Sequence, residues 1–433
     1  MSYVQGLMEF LKKSPACFQA VAELKKALDA GGFTELKEQE AWRPVSGGKY
    51  YVTRNGSSLI AFVLPAEGCE AFRIVAAHTD SPTFRLKSHA ELRLEDKYTR
   101  IDAEGYGGML YATWLDRPLS VAGRVFVREE NALRGIPVCV DRDLLLIPNV
   151  AIHMNRAVND GYKYLPQTDL VPLMGSGEAA GDLAGIVAEA AGVRPENIVS
   201  SDLFLYNRQQ PVIWGARQEY LSAPRLDDLE CVYAGLQAIL GASGSGAVQV
   251  FAAFDNEEVG SLTRQGADST FLSDTLQRIT LALGGTREEY LMALARSFLI
   301  SADNAHAVHP NHPELSDPAN RVFMNEGVVI KHNAAQKYAS DALSCALFEA
   351  ICGEAGVPVQ HYANRSDIRG GSTLGNISGS HVSVSTVDIG LAQLAMHSCY
   401  ETAGVRDIDH MVHAMQAFYG RDWRFTADSR LEL

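Results

Sequence analysis

Four segments of the sequence end an apolar, strand-like run in residues that can bind a divalent metal. They are His78-Thr79-Asp80 after RIVAA, Glu257-Glu258 after VFAAFDN, Asp303 after FLISA, and His397 after IGLAQLAM. Each motif alone is more often a hydrogen-bonded loop pair, a solvated surface or a helix cap. In open α/β sheets, however, ligands gather at the carboxyl ends of the strands. We therefore expect these side chains to converge on one site.

The charge of this set indicates its chemistry. Several carboxylates behind apolar strands, balanced only by histidine, are costly to bury unless a cation intervenes. A pair of divalent metal ions would supply that charge. Nitrogen and oxygen ligands suit zinc, cobalt or manganese, and zinc is the commonest choice for hydrolysis.

The segments that must position these residues follow two patterns. In the first and last thirds of the chain, buried strands such as FRIVAAH and VQVFAAFD alternate with helices, one of them beginning at Ser14-Pro15. Asn55-Gly56 predicts a β-hairpin. Short strands with nearby charges fill the middle third, followed by a small helix from Gly181 to Ala191.

These patterns predict an α/β fold with an insertion. We expect residues 1–88 and 223–433 to form one catalytic α/β domain, interrupted by a β-rich domain at 89–222.

Composition limits the classes of partner and the compartment. The chain of 433 residues is 47% hydrophobic and carries a net charge of −14, which disfavours nucleic acid and anionic membranes as partners. The seven cysteines form no Cys-x-x-Cys pair, so they are interpreted as reduced thiols. No secretory leader or membrane-spanning run is recognisable, which favours a cytoplasmic protein acting on small molecules or peptides.

Seven blocks along the chain resemble the aspartyl aminopeptidase family of co-catalytic dizinc exopeptidases. The blocks are HTDSP (78–82), IPNVAIHMNRAVN (147–159), SAPRLDDL (222–229), FDNEEVGS (254–261), SADNAHAVHPN (301–311), GGSTLG (370–375) and DIGLAQLAMHS (388–398). The resemblance spans nearly the whole chain. It implies a zinc-exopeptidase-like α/β/α sandwich whose inserted β-rich domain dimerises and gates access of the substrate.

The resemblance also implies a set of metal ligands. His78 and Asp303 would bind one metal ion, and Glu258 and His397 would bind the other. Asp227 would bridge the two ions. Because Asp228 directly follows Asp227, the choice between the two rests on alignment.

Three further residues would assist the reaction. The resemblance implies that Asp80 orients the His78 imidazole and that Glu257 is the general base for a water held between the metals. On residue type alone, His153 in AIHMNR is more often a hydrogen-bonded core histidine. The resemblance instead implies that His153 reaches the active site of a neighbouring subunit and helps to bind the oxyanion.

The resemblance further implies a substrate pocket lined by Lys331, His306 and Tyr338. A lysine after three apolar residues usually reaches solvent or pairs with a carboxylate, but here it would receive an Asp or Glu side chain. Arg369 departs from the expected pattern, and facing the pocket it would add a second cation.

We predict an aminopeptidase that removes single residues, preferably Asp or Glu, from short peptides with a free N-terminus. The alternatives are a metal-dependent N-acyl amino acid deacylase and a catalytically silent scaffold. The resemblance implies a homo-oligomer, a dodecamer built from dimers.

Overall fold

The computed structural model describes residues 3–243, 246–427 and 429–433. Its strands, in chain order, are β1 (Thr34–Leu36), β2 (Lys49–Arg54), β3 (Ser58–Val63), β4 (Phe72–His78), β5 (Thr83–Leu94), β6 (Tyr98–Tyr106), β7 (Leu119–Glu129), β8 (Ala132–Cys139), β9 (Leu173–Ser176), β10 (Ile198–Asn207), β11 (Val212–Trp214), β12 (Tyr220–Ala223), β13 (Val248–Phe254), β14 (Phe298–Ala302), β15 (Ala305–His306), β16 (Val328–His332), β17 (Val359–Ala363), β18 (Ser385–Gly390), β19 (Ala392–Leu394), β20 (Glu401–Gly404), β21 (Arg424–Ala427) and β22 (Arg430–Glu432).

Ten α-helices connect or flank these strands in the described part of the chain. They are α1 (Tyr3–Lys13), α2 (Cys17–Ala30), α3 (Pro166–Asp169), α4 (Asp182–Ala191), α5 (Leu226–Leu240), α6 (Phe271–Ala282), α7 (Arg287–Ala295), α8 (Ala342–Ala355), α9 (Leu374–Ser378) and α10 (Asp407–Gly420).

A nine-stranded sheet forms the centre of the molecule, in the order β1-β2-β3-β13-β4-β14-β18-β16-β17. Alternate residues of its strands face opposite sides. In β4, Val75 and Ala77 join the core formed with α1, α2, α5, α8 and α10, whereas Ile74 and Ala76 join the core formed with α6 and α7. The result is a three-layered α/β/α sandwich, and the predicted α/β fold class is confirmed.

Three smaller sheets lie outside this sandwich, one of them the two-stranded pair β21-β22. Strands β8-β7-β10-β5-β6-β9 form a six-stranded sheet, all of it between residues 83 and 207. Strands β11-β12-β20-β19-β15 form a five-stranded sheet. The division of the chain after residues 88 and 222, and the role of residues 89–222 in dimerisation, stay predictions.

Several local predictions from sequence match the structure. The Asn55-Gly56 turn joins β2 to β3, with φ angles of 58° and 69° that suit these two residue types. The predicted small helix from Gly181 to Ala191 is α4, and Gly181 is its N-cap. Helix α1 was not predicted.

The helices and the cysteines carry no sign of a membrane span or a disulfide. Within the described segments, every helix is too short or too polar to cross a bilayer. All seven cysteines are free, and five of them are buried.

Candidate metal centre

Neighbouring strands of the nine-stranded sheet bring the predicted metal ligands and the predicted general base to one edge. His78 is the last residue of β4 and lies beside Phe254, the last residue of β13. Asp303 follows β14, the other neighbour of β4, and Glu257 and Glu258 follow β13. Because these three strands run parallel, their carboxyl ends meet, as the spacing in the sequence predicted.

Asp227 lies at the centre of the site. Its Oδ1 is 3.5 Å from His78 Nε2, and its Oδ2 is 3.4 Å from His397 Nε2. In the next residue, Asp228, Oδ2 instead accepts a hydrogen bond from the His78 backbone amide. Of the two adjacent aspartates, Asp227 therefore has the position between the imidazoles.

Three groups of side chains each bring one ligand atom per residue within 4.8 Å of one another. They are His78, Asp227, Asp228 and Asp303; His78, Glu257 and Glu258; and Asp227, Glu258 and His397. The first and third groups share Asp227. Glu258 Oε2 lies 3.4 Å from His397 Nε2, so all five residues predicted as ligands belong to one continuous cluster.

The electrostatics of the cluster match a site that requires positive charge. Burial, helped by Asp303, Asp80 and Asp227 and opposed by His78, raises the pKa of Glu257 to about 7. Burial and Asp227 likewise raise the pKa of Glu258. For Asp227 itself, burial opposes ionisation, but the His397 and His78 imidazoles, at 3.4 and 3.5 Å, hold its pKa below the usual range.

Several carboxylate oxygens in the cluster lack a hydrogen-bond donor. Buried Oδ1 of Asp227, Oδ1 of Asp228 and Oε1 of Glu258 have no hydrogen-bond partner among the described residues. Leaving such groups buried and unpaired is expensive. The donor set of imidazole and carboxylate therefore fits divalent metal ions.

Asp80 organises the same edge. Its backbone oxygen is 3.1 Å and its carboxylate 3.4 Å from His78 Nδ1, and either contact would direct Nε2 toward Asp227. The carboxylate also accepts hydrogen bonds from the backbone amides of Glu257 and Glu258 and from the hydroxyl of Tyr106. Asp80 thus connects the end of β4 with the loop after β13.

A cavity of about 180 Å³ opens beside the cluster and contains the three predicted pocket residues. The buried Lys331 Nζ donates to the backbone oxygens of Asp303 and Asn304 at 2.8 and 3.3 Å and lies 3.6 Å from Asp303 Oδ2. The same nitrogen is 5.1 Å from the ring centre of Tyr338. His306 lines the same cavity, where desolvation and the charge of Lys331 lower its pKa.

Comparison with known proteins identifies the family. The family model described as "Aminopeptidase I zinc metalloprotease (M18)" matches residues 10–419. The chain belongs to the M18 family. It is 47% identical over 427 residues to a probable M18 family aminopeptidase 2 of Clostridium acetobutylicum, covering 97% of this chain and 99% of the relative.

Solved structures of M18 aminopeptidases share the fold. A chain of the cryo-EM structure of the Ape4 and Nbr1 complex aligns with a TM-score of 0.93 at 34% identity, over 96% of this chain and 85% of that one. The mApe1 dodecamer of S. cerevisiae aligns with a TM-score of 0.84 at 27% identity, over 96% of both chains. The resemblance to the aspartyl aminopeptidase family is therefore confirmed, and the protein is a metal-dependent M18 aminopeptidase.

Sequence reasoning missed Glu401, which connects two parts of this M18 site. Its buried carboxylate accepts a hydrogen bond from the Asp227 amide at 3.0 Å and another from the His397 amide at 2.8 Å. Burial and Asp227 raise its pKa to about 8. The signal in the sequence was slight, because Glu401 follows His397 by four residues and continues no recognisable motif.

His153 is the predicted site residue that the structure places neither in the cluster nor in the cavity beside it. It lies exposed between β8 and α3, and makes no hydrogen bond, ion pair or ring contact with a cluster residue in the described chain. Its role in a neighbouring subunit stays a prediction.

Proposed function

We propose that this M18 protein is a two-metal aminopeptidase that prefers an acidic N-terminal residue. The observation that carries the proposal is the shared carboxylate of Asp227, which lies within 3.5 Å of two imidazoles from distant parts of the chain. A carboxylate between two ligand groups is the arrangement that a bridged metal pair requires.

The residues that would hold the ions divide into two sets around Asp227. His78 and Asp303 would complete one set, and Glu258 and His397 the other. When bound, two divalent ions would polarise the scissile carbonyl and make a water molecule more acidic. Zinc is the proposed metal because the family is described as zinc metalloproteases, and cobalt and manganese suit the same donors.

Glu257 is the proposed general base. It lines the catalytic cavity, and its side chain makes no hydrogen bond with any described residue, so it is free to accept a proton. Burial raises its pKa to about 7, close to the value at which a group both accepts and returns a proton near neutral pH. In this role Glu257 takes a proton from the attacking water and delivers it to the departing amine nitrogen.

The same cavity supports recognition of both ends of an acidic N-terminal residue. The carboxylates of Asp303 and Glu258 provide a negative environment for a free α-ammonium group. Lys331, with Tyr338 and His306 beside it, provides a cationic wall for an Asp or Glu side chain.

We further propose that the protein acts as a cytoplasmic homo-oligomer, a dodecamer built from dimers. A dodecameric structural relative and the exposed position of His153 support this, since an exposed histidine can reach a neighbouring active site to bind the oxyanion. Seven free thiols are consistent with a reducing compartment. Size-exclusion chromatography with light scattering tests the assembly, and a fully active monomer would overturn it.

The activity is tested with amino-acid p-nitroanilides and metal analysis of the purified protein. We expect two zinc ions per chain and a higher kcat/KM for Asp- and Glu-p-nitroanilide than for Ala- or Leu-p-nitroanilide. The N-acetylated form of Asp-p-nitroanilide is the matched control. Cleavage of that blocked compound alone would favour the deacylase, and inactivity on both compounds in the metal-loaded protein would favour the silent scaffold.

A further inference from the structure

A second cavity, of about 280 Å³, adjoins the catalytic cavity. The two cavities share His306, Tyr362 and Gly371 in their walls. The second cavity therefore lies directly beside the cavity of the metal cluster. A peptide held beside the metal cluster would come close to the lining of this cavity, so its chemistry bears on which peptides fit.

The arginines and the lysine near these cavities differ in whether their charged groups already have hydrogen-bond or ion-pair partners. Lys331 contacts Asp303 and two backbone oxygens, and Arg365 binds the Asp367 carboxylate and the Glu314 backbone oxygen. Arg369 lines the second cavity and forms neither a hydrogen bond nor an ion pair with any residue in the described parts of the chain. Its guanidinium is therefore fully available to a ligand, in addition to the partly engaged ammonium of Lys331.

The backbone that carries Arg369 is closely packed. At the next residue, Gly370, a Cβ atom would lie 2.6 Å from Asn364 Oδ1, so only glycine fits without a shift of this side chain. Arg369 is therefore part of a cavity wall in which the next residue has no space for a side chain.

We propose that Arg369 is a specificity-determining residue that binds a carboxylate of the substrate. The inference rests on the proposed aminopeptidase function and adds to it the anionic group that the second cavity selects. A guanidinium offers two parallel N–H donors that match a carboxylate, whereas the cluster itself is rich in carboxylates and repels anions. The carboxylate comes either from the side chain of the N-terminal residue or from the part of the peptide beyond the cleaved bond.

The test compares kcat and KM of the full-length, metal-loaded wild type and Arg369→Gln on five substrates. Asp- and Glu-p-nitroanilide carry a side-chain carboxylate, and Ala-p-nitroanilide carries none. Ala-Ala carries a free α-carboxylate, and Ala-Ala-amide does not. Arg369→Lys, which keeps the positive charge, tests rescue, and Arg128→Gln serves as a control at an exposed arginine of β7.

Arg369→Gln is expected to lower kcat/KM about tenfold or more for one carboxylate-bearing set, mainly through KM, with Ala-p-nitroanilide unchanged. Selective loss on Asp- and Glu-p-nitroanilide assigns the side chain as the source. Selective loss on Ala-Ala over its amide assigns the α-carboxylate, and Arg369→Lys should recover part of either loss.

Equal losses on all five substrates, or no loss on any, would overturn the inference while the wild type remains active. A wild type that cleaves none of the five substrates would instead overturn the proposed function itself. Thermal unfolding of each variant, followed by circular dichroism, checks that Arg369→Gln folds as the wild type does.

Discussion

The charged residues of the six-stranded sheet and those at the edge of the nine-stranded sheet are arranged in opposite ways. In the six-stranded sheet, Asp202 pairs with Arg85 at 2.7 Å and with Arg124 at 2.8 Å, and Glu129 pairs with Arg134 at 2.6 Å. At the edge of the nine-stranded sheet, the three groups of candidate ligands contain five buried or half-buried carboxylates and two imidazoles, and Lys331 is the one ammonium nearby in the described structure.

This difference distinguishes charged residues that stabilise the fold by pairing with each other from buried carboxylates that require a bound cation. In an ion pair across strands the two charges neutralise each other, so no bound ion is needed. Buried carboxylates without cations are costly and persist where function requires them. Balance of charge, more than the number of charged residues, therefore distinguishes the two regions.

The largest expected effect comes from Glu257→Gln. The substitution removes the proposed base and preserves the shape of the side chain, so turnover of Asp-p-nitroanilide should fall by roughly 10²–10⁴-fold. Zinc content, measured by atomic absorption, should stay at the wild-type level because Glu257 is not a proposed ligand. Turnover near the wild-type rate would refute the base assignment.

Glu401→Gln should weaken metal binding by about 10–100-fold, because an amide cannot accept hydrogen bonds from both the Asp227 and His397 amides as a carboxylate does. Competition with a zinc chelator measures the affinity.

The matched control for Glu401→Gln is Asp407→Asn. Asp407 is also a buried carboxylate that accepts two backbone amide hydrogen bonds, from Asn325 and Gly327, but it lies outside the metal groups. The Asp407→Asn substitution should lower the melting temperature and leave zinc affinity unchanged. Equal zinc affinity in wild type and Glu401→Gln would contradict the positioning role.

The metal-free protein should lose stability as pH rises. The pKa of Glu257 is raised from 4.5 to about 7 by burial, and that of Glu401 is raised from 4.5 to about 8 by burial and Asp227. Although burial opposes it, Asp227 raises the pKa of His397. All three groups bind more protons in the folded state than in the unfolded state, so the free energy of unfolding falls between about pH 4.5 and 8.

Chemical denaturation at several pH values, with and without zinc, measures this slope. Zinc should reduce it because bound metal replaces the protons. A free energy of unfolding that rises with pH in the metal-free protein would be inconsistent with the charge imbalance of the cluster.

The smallest effect is expected for Glu129→Gln in the six-stranded sheet. Glu129 and Arg134 are both exposed, so their ion pair should contribute less than about 1 kcal/mol to the free energy of unfolding. Zinc affinity and turnover should match those of the wild type. A decrease of several kcal/mol in the free energy of unfolding would contradict the view that the charged pairs of the six-stranded sheet contribute little.

The sequence predicted the α/β fold class and the convergence of the candidate metal ligands because both follow from short-range patterns. His78 directly ends an apolar strand, and Asp303 directly follows one, so their meeting at one edge follows from parallel strand order. The family resemblance supplied Asp227, which belongs to no such pattern.

Contacts between distant segments could not be derived in the same way. The contacts of Glu401 with Asp227 and His397 depend on how β20 pairs with β12, a register that no local signal specifies. The hydrogen bonds of Lys331 with the Asp303 segment also depend on tertiary packing. Helix α1 was missed because an eleven-residue segment gains most of its helical stability from packing rather than from its own sequence.

The order of the cluster residues along the chain has a consequence for biosynthesis. His78 is made early, whereas His397 and Glu401 lie within the last 40 residues of the 433-residue chain. Under the proposed ligand set, a ribosome-bound chain lacks its second metal site until almost all of it has been translated. Peptide cleavage therefore cannot begin on a partly synthesised polypeptide, and any fragment truncated before residue 397 should be inert toward cellular peptides.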